Sequence, residues 1–235
     1  MSTRSYIGKV ENDGSVRYIY CHSDGYMSHN GVLLFFFYSD PKKLDKLLHE
    51  GDVSSLGAEI GKKHGWDQHS WNEDSGIPVT WSKFYARERG DAMRRWSHPS
   101  EQEFWAKSDE IPYLFKDGEW YSEDSGWPKT PENTVKFSLR DHLGKCMVKC
   151  SYDGGTIGLS DIAFYEITDP EDYEEGEKSE YEVAVEEAPH GSIFLKDIFD
   201  FCEKERVKPR WSGNYNDIHM TLPKKAMTKF VLLHC

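Results

Sequence analysis

Apolar and polar residues alternate over Ser5–Val10 and over residues 15–21, the two-residue period of half-buried strands. Asp13-Gly14 stands between the two runs and predicts a hairpin. Residues 23–31 carry Gly25, Asn30 and Gly31 and read as a loop. The run Val32–Phe37 is the longest apolar stretch, far short of the ~18 residues of a membrane span, so it suits a buried helix or strand. A helix start follows. Asp40 is a good N-cap, Pro41 fits the first helical position, Leu44, Leu47 and Leu48 form an apolar stripe, and Gly51 is the stop.

Beyond that helix the pattern is less regular. Residues 57–78 are polar and Gly-rich and read as a loop, and residues 79–85 read as a strand with Val79, Trp81, Lys83 and Tyr85 on one face. Ser100 with Glu103 makes a capping box for a short helix through Phe104, Trp105 and Ala106. Residues 112–121 read as a hairpin about Asp117-Gly118. Strands are expected over 135–139, 145–152, 162–167 and 181–185, with a turn at Asp153-Gly154-Gly155. Residues 192–206 form an amphipathic helix, with Phe194, Ile198, Phe201 and Cys202 inward and Lys196, Asp197, Glu203 and Glu205 toward water. Residues 224–233 suit helix or strand equally. Pro128 and Pro131 suggest a division into 1–130 and 131–235, unless the chain is one continuous domain. The expected class is α+β: antiparallel β-hairpins with short packed helices.

Composition narrows the picture. Of 235 residues, 37% are hydrophobic and 14% aromatic, too apolar for a disordered chain. The first residues lack the basic-then-apolar pattern of a secretory signal, and five scattered Cys fit a reduced cytosolic setting rather than a disulfide framework. The formal charge is −12, and it is concentrated. Residues 169–187 hold ten acids and one base, with Glu174, Glu175 and Glu177 at their centre. Such a block is most often a solvated loop, and otherwise a dock for a basic or nucleic-acid-binding partner. An acidic chain does not seek phosphate backbones, so direct nucleic-acid binding is not expected.

Three patches carry a resemblance. The chain opens Met1-Ser2-Thr3-Arg4-Ser5 and continues Tyr18-Ile19-Tyr20-Cys21-His22-Ser23-Asp24-Gly25-Tyr26. Phe84-Tyr85-Ala86-Arg87-Glu88-Arg89-Gly90 and Tyr113-Leu114-Phe115, followed by Gly118, Trp120 and Tyr121, complete the set. Over residues 1–121 the chain resembles a family of small phage and prophage proteins with no assigned activity. The resemblance implies that Val32–Phe37 and Tyr38 are helical, and it implies a place in the host cytoplasm without implying a reaction.

Several groups could carry chemistry. Arg87 and Arg89, flanking Glu88, have the geometry of a phosphate or carboxylate clamp, although internal ion pairs with Glu88 and Asp91 are the commoner use. Arg94-Arg95-Trp96 adds bases beside an indole. His64, Asp67 and His69 are a loose candidate set for Zn or Mn, with no standard ligand spacing. Cys21 and His22 are adjacent on a strand and point to opposite faces, so neither serves the other as nucleophile and base. Cys146 and Cys150 read as core. Glu73-Asp74-Ser75-Gly76-Ile77-Pro78 recurs as Glu123-Asp124-Ser125-Gly126-Trp127-Pro128, and both copies read as turns. No phosphate loop, Gly-x-Ser-x-Gly elbow or His-Glu-x-x-His motif occurs.

The favoured expectation is a non-enzymatic phage accessory protein that binds a host protein, for example to inhibit a defence or regulatory factor. Two alternatives stand beside it: a small metal-dependent hydrolase or nuclease using His64, Asp67 and His69, and a protein that sequesters a phosphorylated small ligand through Arg87 and Arg89.

Overall fold

The computed structural model describes residues 3–68, 80–125, 130, 133–145, 147–153, 156–163, 192–206 and 218–221. The chain divides into two compact units, Met1–Arg140 and Asp141–Cys235. It is an α+β protein, with both of its sheets built largely from antiparallel pairs.

The first unit is organised on a mixed eight-stranded sheet. Its centre is the hairpin β1 (Ser5–Val10) and β2 (Val16–Cys21), antiparallel with Ser5 opposite Cys21 and Val10 opposite Val16. Gly14, at φ +84°, makes the turn, and the Asp13 carboxylate accepts from the Ser15 N–H at 3.0 Å. On its other side β1 runs parallel to β6 (Ile111–Lys116), with Ile7 opposite Tyr113. β6 and β7 (Glu119–Ser125) form the second hairpin. Asp117 and Gly118 both have positive φ there, as a two-residue turn between right-twisted strands requires. β8 (Thr134–Ser138) extends the sheet beyond β7. That pairing carries the first unit past the boundary near residue 130 and holds Glu123, Asp124 and Ser125 in a strand rather than the expected turn. The earlier copy of that motif lies outside the described residues.

The far edge of β2 is shared. β5 (Trp96–His98) pairs antiparallel with its first half, and β3 (Val53–Ser55) meets it parallel at Cys21. Asp52 lies at the junction. Its carboxylate accepts from the Tyr20 N–H at 2.9 Å and from the Trp96 indole N–H at 3.2 Å. Burial pushes this carboxyl above its ordinary range.

Helices cover the faces. α1 (Val32–Phe37) and α2 (Pro41–Glu50) follow the hairpin. The Asp40 side chain caps α2 by accepting from the Lys42 N–H at 2.9 Å, and Gly51, at φ +83°, ends it. Leu44, Leu47 and Leu48 are fully buried. Asp45, on the same helix, bonds both Lys9 of β1 and Arg17 of β2 at 2.7 Å. α3 (Glu101–Lys107) starts at the Ser100 cap and packs Phe104 and Trp105 against Val16 and Leu114. Gly8 leaves room for the Phe104 ring, which would stand 3.2 Å from a Cβ there.

Three expectations change. Residues 27–31 form a π-helical turn, not a loop. The strand expected over 79–85 shrinks to β4 (Lys83–Phe84), because Tyr85 opens a second π-helical turn through Arg89 and Trp81 only bridges Glu59. Leu139 leaves the strand to begin α4 (Leu139–Gly144), since Leu139 and Leu143, four residues apart, are both buried.

In the second unit, β9 (Met147–Asp153) lies between β10 (Thr156–Ala163) and β11 (Ser192–Phe194), and β12 (Ile218–Thr221) pairs with β10. All three pairings are antiparallel. β10 starts earlier than expected because Thr156 already pairs with Asp153 of β9. α5 (Leu195–Glu205) buries Leu195, Ile198, Phe199 and Phe201, while Phe194 belongs to β11 and Cys202 is half-buried. The expected strand at 181–185, the tail at 224–233 and Cys146 lie outside the described residues. Among the described residues no helix is long and apolar enough to cross a membrane.

Leu47→Ala is expected to lower the unfolding free energy by about 2–5 kcal/mol through lost transfer energy and a cavity. Asp40→Ala is expected to lower it by about 1 kcal/mol through loss of the cap. Urea denaturation followed by tryptophan fluorescence measures both.

Candidate functional site

The segment Ser82-Lys83-Phe84-Tyr85-Ala86-Arg87-Glu88-Arg89-Gly90-Asp91 builds the site. A short β4 feeds a single π-helical turn, and Gly90, at φ +82°, ends it in the left-handed region that glycine tolerates. The turn is closed at its start by a side chain: the Phe84 N–H donates to Glu88 Oε2 at 2.7 Å. Glu88 is buried to 8% exposure, so its other oxygen needs a cation or donor. Arg87 Nε supplies one.

Arg87 is committed to the fold. Besides Glu88, its guanidinium donates to the carbonyls of Ser82 at 2.9 Å, Ile60 at 3.0 Å and Gly61 at 3.3 Å. It lies over the Phe84 ring, 4.6 Å from the centroid. Its side chain is 12% exposed. The ion pair weighed against the clamp is therefore the arrangement found, since a buried guanidinium must be matched donor by donor. Nearby, His64 Nδ1 stands 3.5 Å from Glu88 Oε1 and 3.1 Å from the Lys62 carbonyl.

Arg89 points outward. It makes a two-pronged pair with Asp91, at 2.8 and 2.6 Å, and lies over the rings of Trp66 and Tyr85 at 5.1 and 5.0 Å. Those rings are 5.4 Å apart and inclined by 30°. Lys83 donates to the carbonyls of Trp66 and Gln68 and stands 4.5 Å from the Trp66 ring centre. Burial pushes its amine below the ordinary lysine range, against the pull of Asp67 and Glu88.

The turn thus gathers Arg87 and His64, from two patches that looked unrelated along the chain, about the Glu88 carboxylate, while Arg89 faces out to Asp91. It does not gather the metal set. His64 is directed at Glu88, Asp67 is exposed, and His69 lies outside the described residues. Among the described residues no group of three or more His, Cys, Asp and Glu side chains is placed to hold a metal ion. Glu174, Glu175 and Glu177 also lie outside the described residues.

A second polar cluster lies beneath the loop after β2. Asn30 Nδ2 donates to Ser5 Oγ at 3.0 Å, to Cys21 Sγ at 3.3 Å and to the Ser23 carbonyl at 3.3 Å. Asn30 Oδ1 meets His29 Nδ1 at 3.0 Å. Burial pushes the Cys21 thiol up to about 11 and the His29 imidazole down, so both are held neutral. Sequence reasoning missed Asn30 because a polar residue in a polar stretch scores as loop, and only its partners show it to be core. It singled out Arg94, Arg95 and Trp96, which are exposed, but missed Met93 beside them and the junction residue Asp52.

Comparisons with protein-family profiles, with curated proteins and with solved structures find no match.

Arg87→Ala is expected to cost about 3–5 kcal/mol of stability, because it leaves the buried Glu88 without its guanidinium partner. Arg89→Ala is expected to change stability by less than about 1 kcal/mol; equal costs in urea titrations would contradict the inward and outward assignment. In the folded protein Cys21 should escape iodoacetamide at pH 8 and react after denaturation, as read by peptide mass spectrometry. Asp45 adds a pH dependence: burial pushes its carboxyl up, but Lys9 and Arg17 outweigh that and hold it below the ordinary range. Its contribution is therefore full above about pH 4 and is lost as pH falls through its lowered value. Asp45→Asn should flatten the acid limb of the stability curve.

Proposed function

We propose that this is a phage accessory protein that acts in the host cytoplasm by binding a host protein, blocking a defence or regulatory factor. One observation carries the preference for binding over catalysis. The side chains with the most reactive character in the three family-like patches are taken up by the fold: Arg87 by Glu88 and three carbonyls, and Cys21 by full burial as a neutral thiol. A residue that holds the framework together is poorly placed to exchange partners with substrate during turnover. The sequestration reading loses its main clamp for the same reason, since Arg87 has its donors directed inward.

The resemblance of the opening segment supports the phage context, and the ten acids among residues 169–187 suit a basic partner by composition. Affinity capture of the tagged full chain from host lysate, at low and moderate salt, tests the proposal. A single stoichiometric host protein is expected, fading as salt screens the pairing. The charge reversal Glu174→Lys, Glu175→Lys and Glu177→Lys should remove it. Capture that is indifferent to the reversal would end the role of that segment, and an empty bait would end the proposal.

A further inference from the structure

Residues 92–97 form an exposed ribbon leading into β5. Three large apolar residues are strongly exposed among the described residues, and two of them, Met93 at 49% and Trp96 at 44%, stand in this ribbon with Arg94 and Arg95 between them. Met, Trp and Arg are the residue types enriched at the centres of protein interfaces. The ribbon is also anchored. The Trp96 indole N–H is held by Asp52 at 3.2 Å, and Arg95 Nε donates to the His49 carbonyl at 3.0 Å. Arg95 also donates to Met93 Sδ at 2.7 Å, so these side chains are held before a partner arrives, which lowers the ordering cost of binding.

Charge favours an anionic occupant. Asp91 is paired by Arg89, Asp52 accepts from the Tyr20 N–H and the Trp96 indole, and the Arg94 charge acts on both carboxylates. Arg89, Arg94 and Arg95 still outnumber Asp91 and Asp52, which leaves the ribbon with a positive excess. β5 pairs with β2 on one side, and among the described strands none lies on its other side. A short outer strand of this kind accepts an added strand. A polynucleotide fits less well: two arginines neutralise few phosphates, and a strand edge offers N–H and C=O groups that pair with a peptide backbone.

We propose that residues 92–98 dock an extended acidic segment of a partner protein as a strand beside β5. Met93 and Trp96 are the apolar anchors, and Arg94 and Arg95 receive the carboxylates. This rests on the reading of the protein as a protein-binding module and adds a second, cationic surface to it.

Fluorescence anisotropy with the full chain tests the site. The probe is a labelled peptide of about ten residues alternating Glu with Val, the length of an added strand. The same peptide with Lys for Glu, and a labelled oligothymidylate, are the comparators. The Glu peptide should bind and the Lys peptide should not. Arg94→Glu with Arg95→Glu should weaken binding by about tenfold or more, as should Trp96→Ala, at unchanged melting temperature, whereas Val135→Ala should have no effect. Should Trp96→Ala unfold the protein, the arginine pair alone decides. No binding of the Glu peptide, binding indifferent to the arginine reversal, or tighter binding of the oligothymidylate would each overturn the proposal. Lysate capture with the arginine variant separates the two readings. Capture that persists while the peptide fails removes this surface only. Peptide binding without any captured host protein removes the host-protein reading and leaves the surface.

Discussion

β1 lies between β2, which follows it through a tight turn, and β6, whose first residue, Ile111, pairs with Ser5. The chain between residues 21 and 111 must therefore pass from the β2 side of the sheet to the far side of β1. A parallel neighbour cannot be reached by a hairpin and needs a crossover. Here the crossover is the whole middle of the unit: α1, α2, the added strands β3 to β5, and α3. The burial pattern follows. Ile7, Ile19 and Cys21 share one face of the central hairpin, while Val16 and Gly8 on the other meet Phe104. Asp45 ties Lys9 and Arg17 of that hairpin to the crossover by charge.

The same crossover explains the charged knot at Arg87 and Glu88. A segment returning to a sheet edge through a single π-helical turn leaves backbone groups without regular partners. Glu88 accepts one such N–H, from Phe84, and Arg87 serves three such carbonyls, from Ile60, Gly61 and Ser82. The pair joins β4 to the preceding loop in a region with few ladder bonds. Replacing either member alone strands the other, so the two behave as a unit, and a tighter core could be made only by replacing both. Asn30 does the corresponding work for the first π-helical turn, with neutral groups in place of charges.

Local signals announced the local elements. The β1–β2 and β6–β7 hairpins, the Asp40 and Ser100 caps and the Leu44, Leu47 and Leu48 stripe follow from turn chemistry and periodicity that act within a few residues. What was not legible depends on distant partners. Nothing in Val79-Thr80-Trp81 reveals that β4 will be two residues long, because its length is set by where Glu88 can reach Phe84. The π-helical turns lack a periodic pattern of their own. At the site, Arg87 and Arg89 look alike in sequence, and a step of two residues round the π-helical turn sends one inward and the other out. The contrast between them is a property of the backbone path and not of either side chain.

Asp52 carries a constraint of another kind. Its carboxylate stands in for a strand at the point where β5 has ended and β3 has not begun, accepting the Tyr20 N–H that neither strand takes. Only Gly51 separates it from the end of α2, and Val53 is already paired with Cys21. The spacing between helix and strand is therefore a ruler. An insertion or deletion of one residue between Glu50 and Val53 would move the acceptor by roughly 3 Å, the rise of an extended residue, and open the seam of the sheet. Length, rather than composition, is what this stretch of chain cannot surrender.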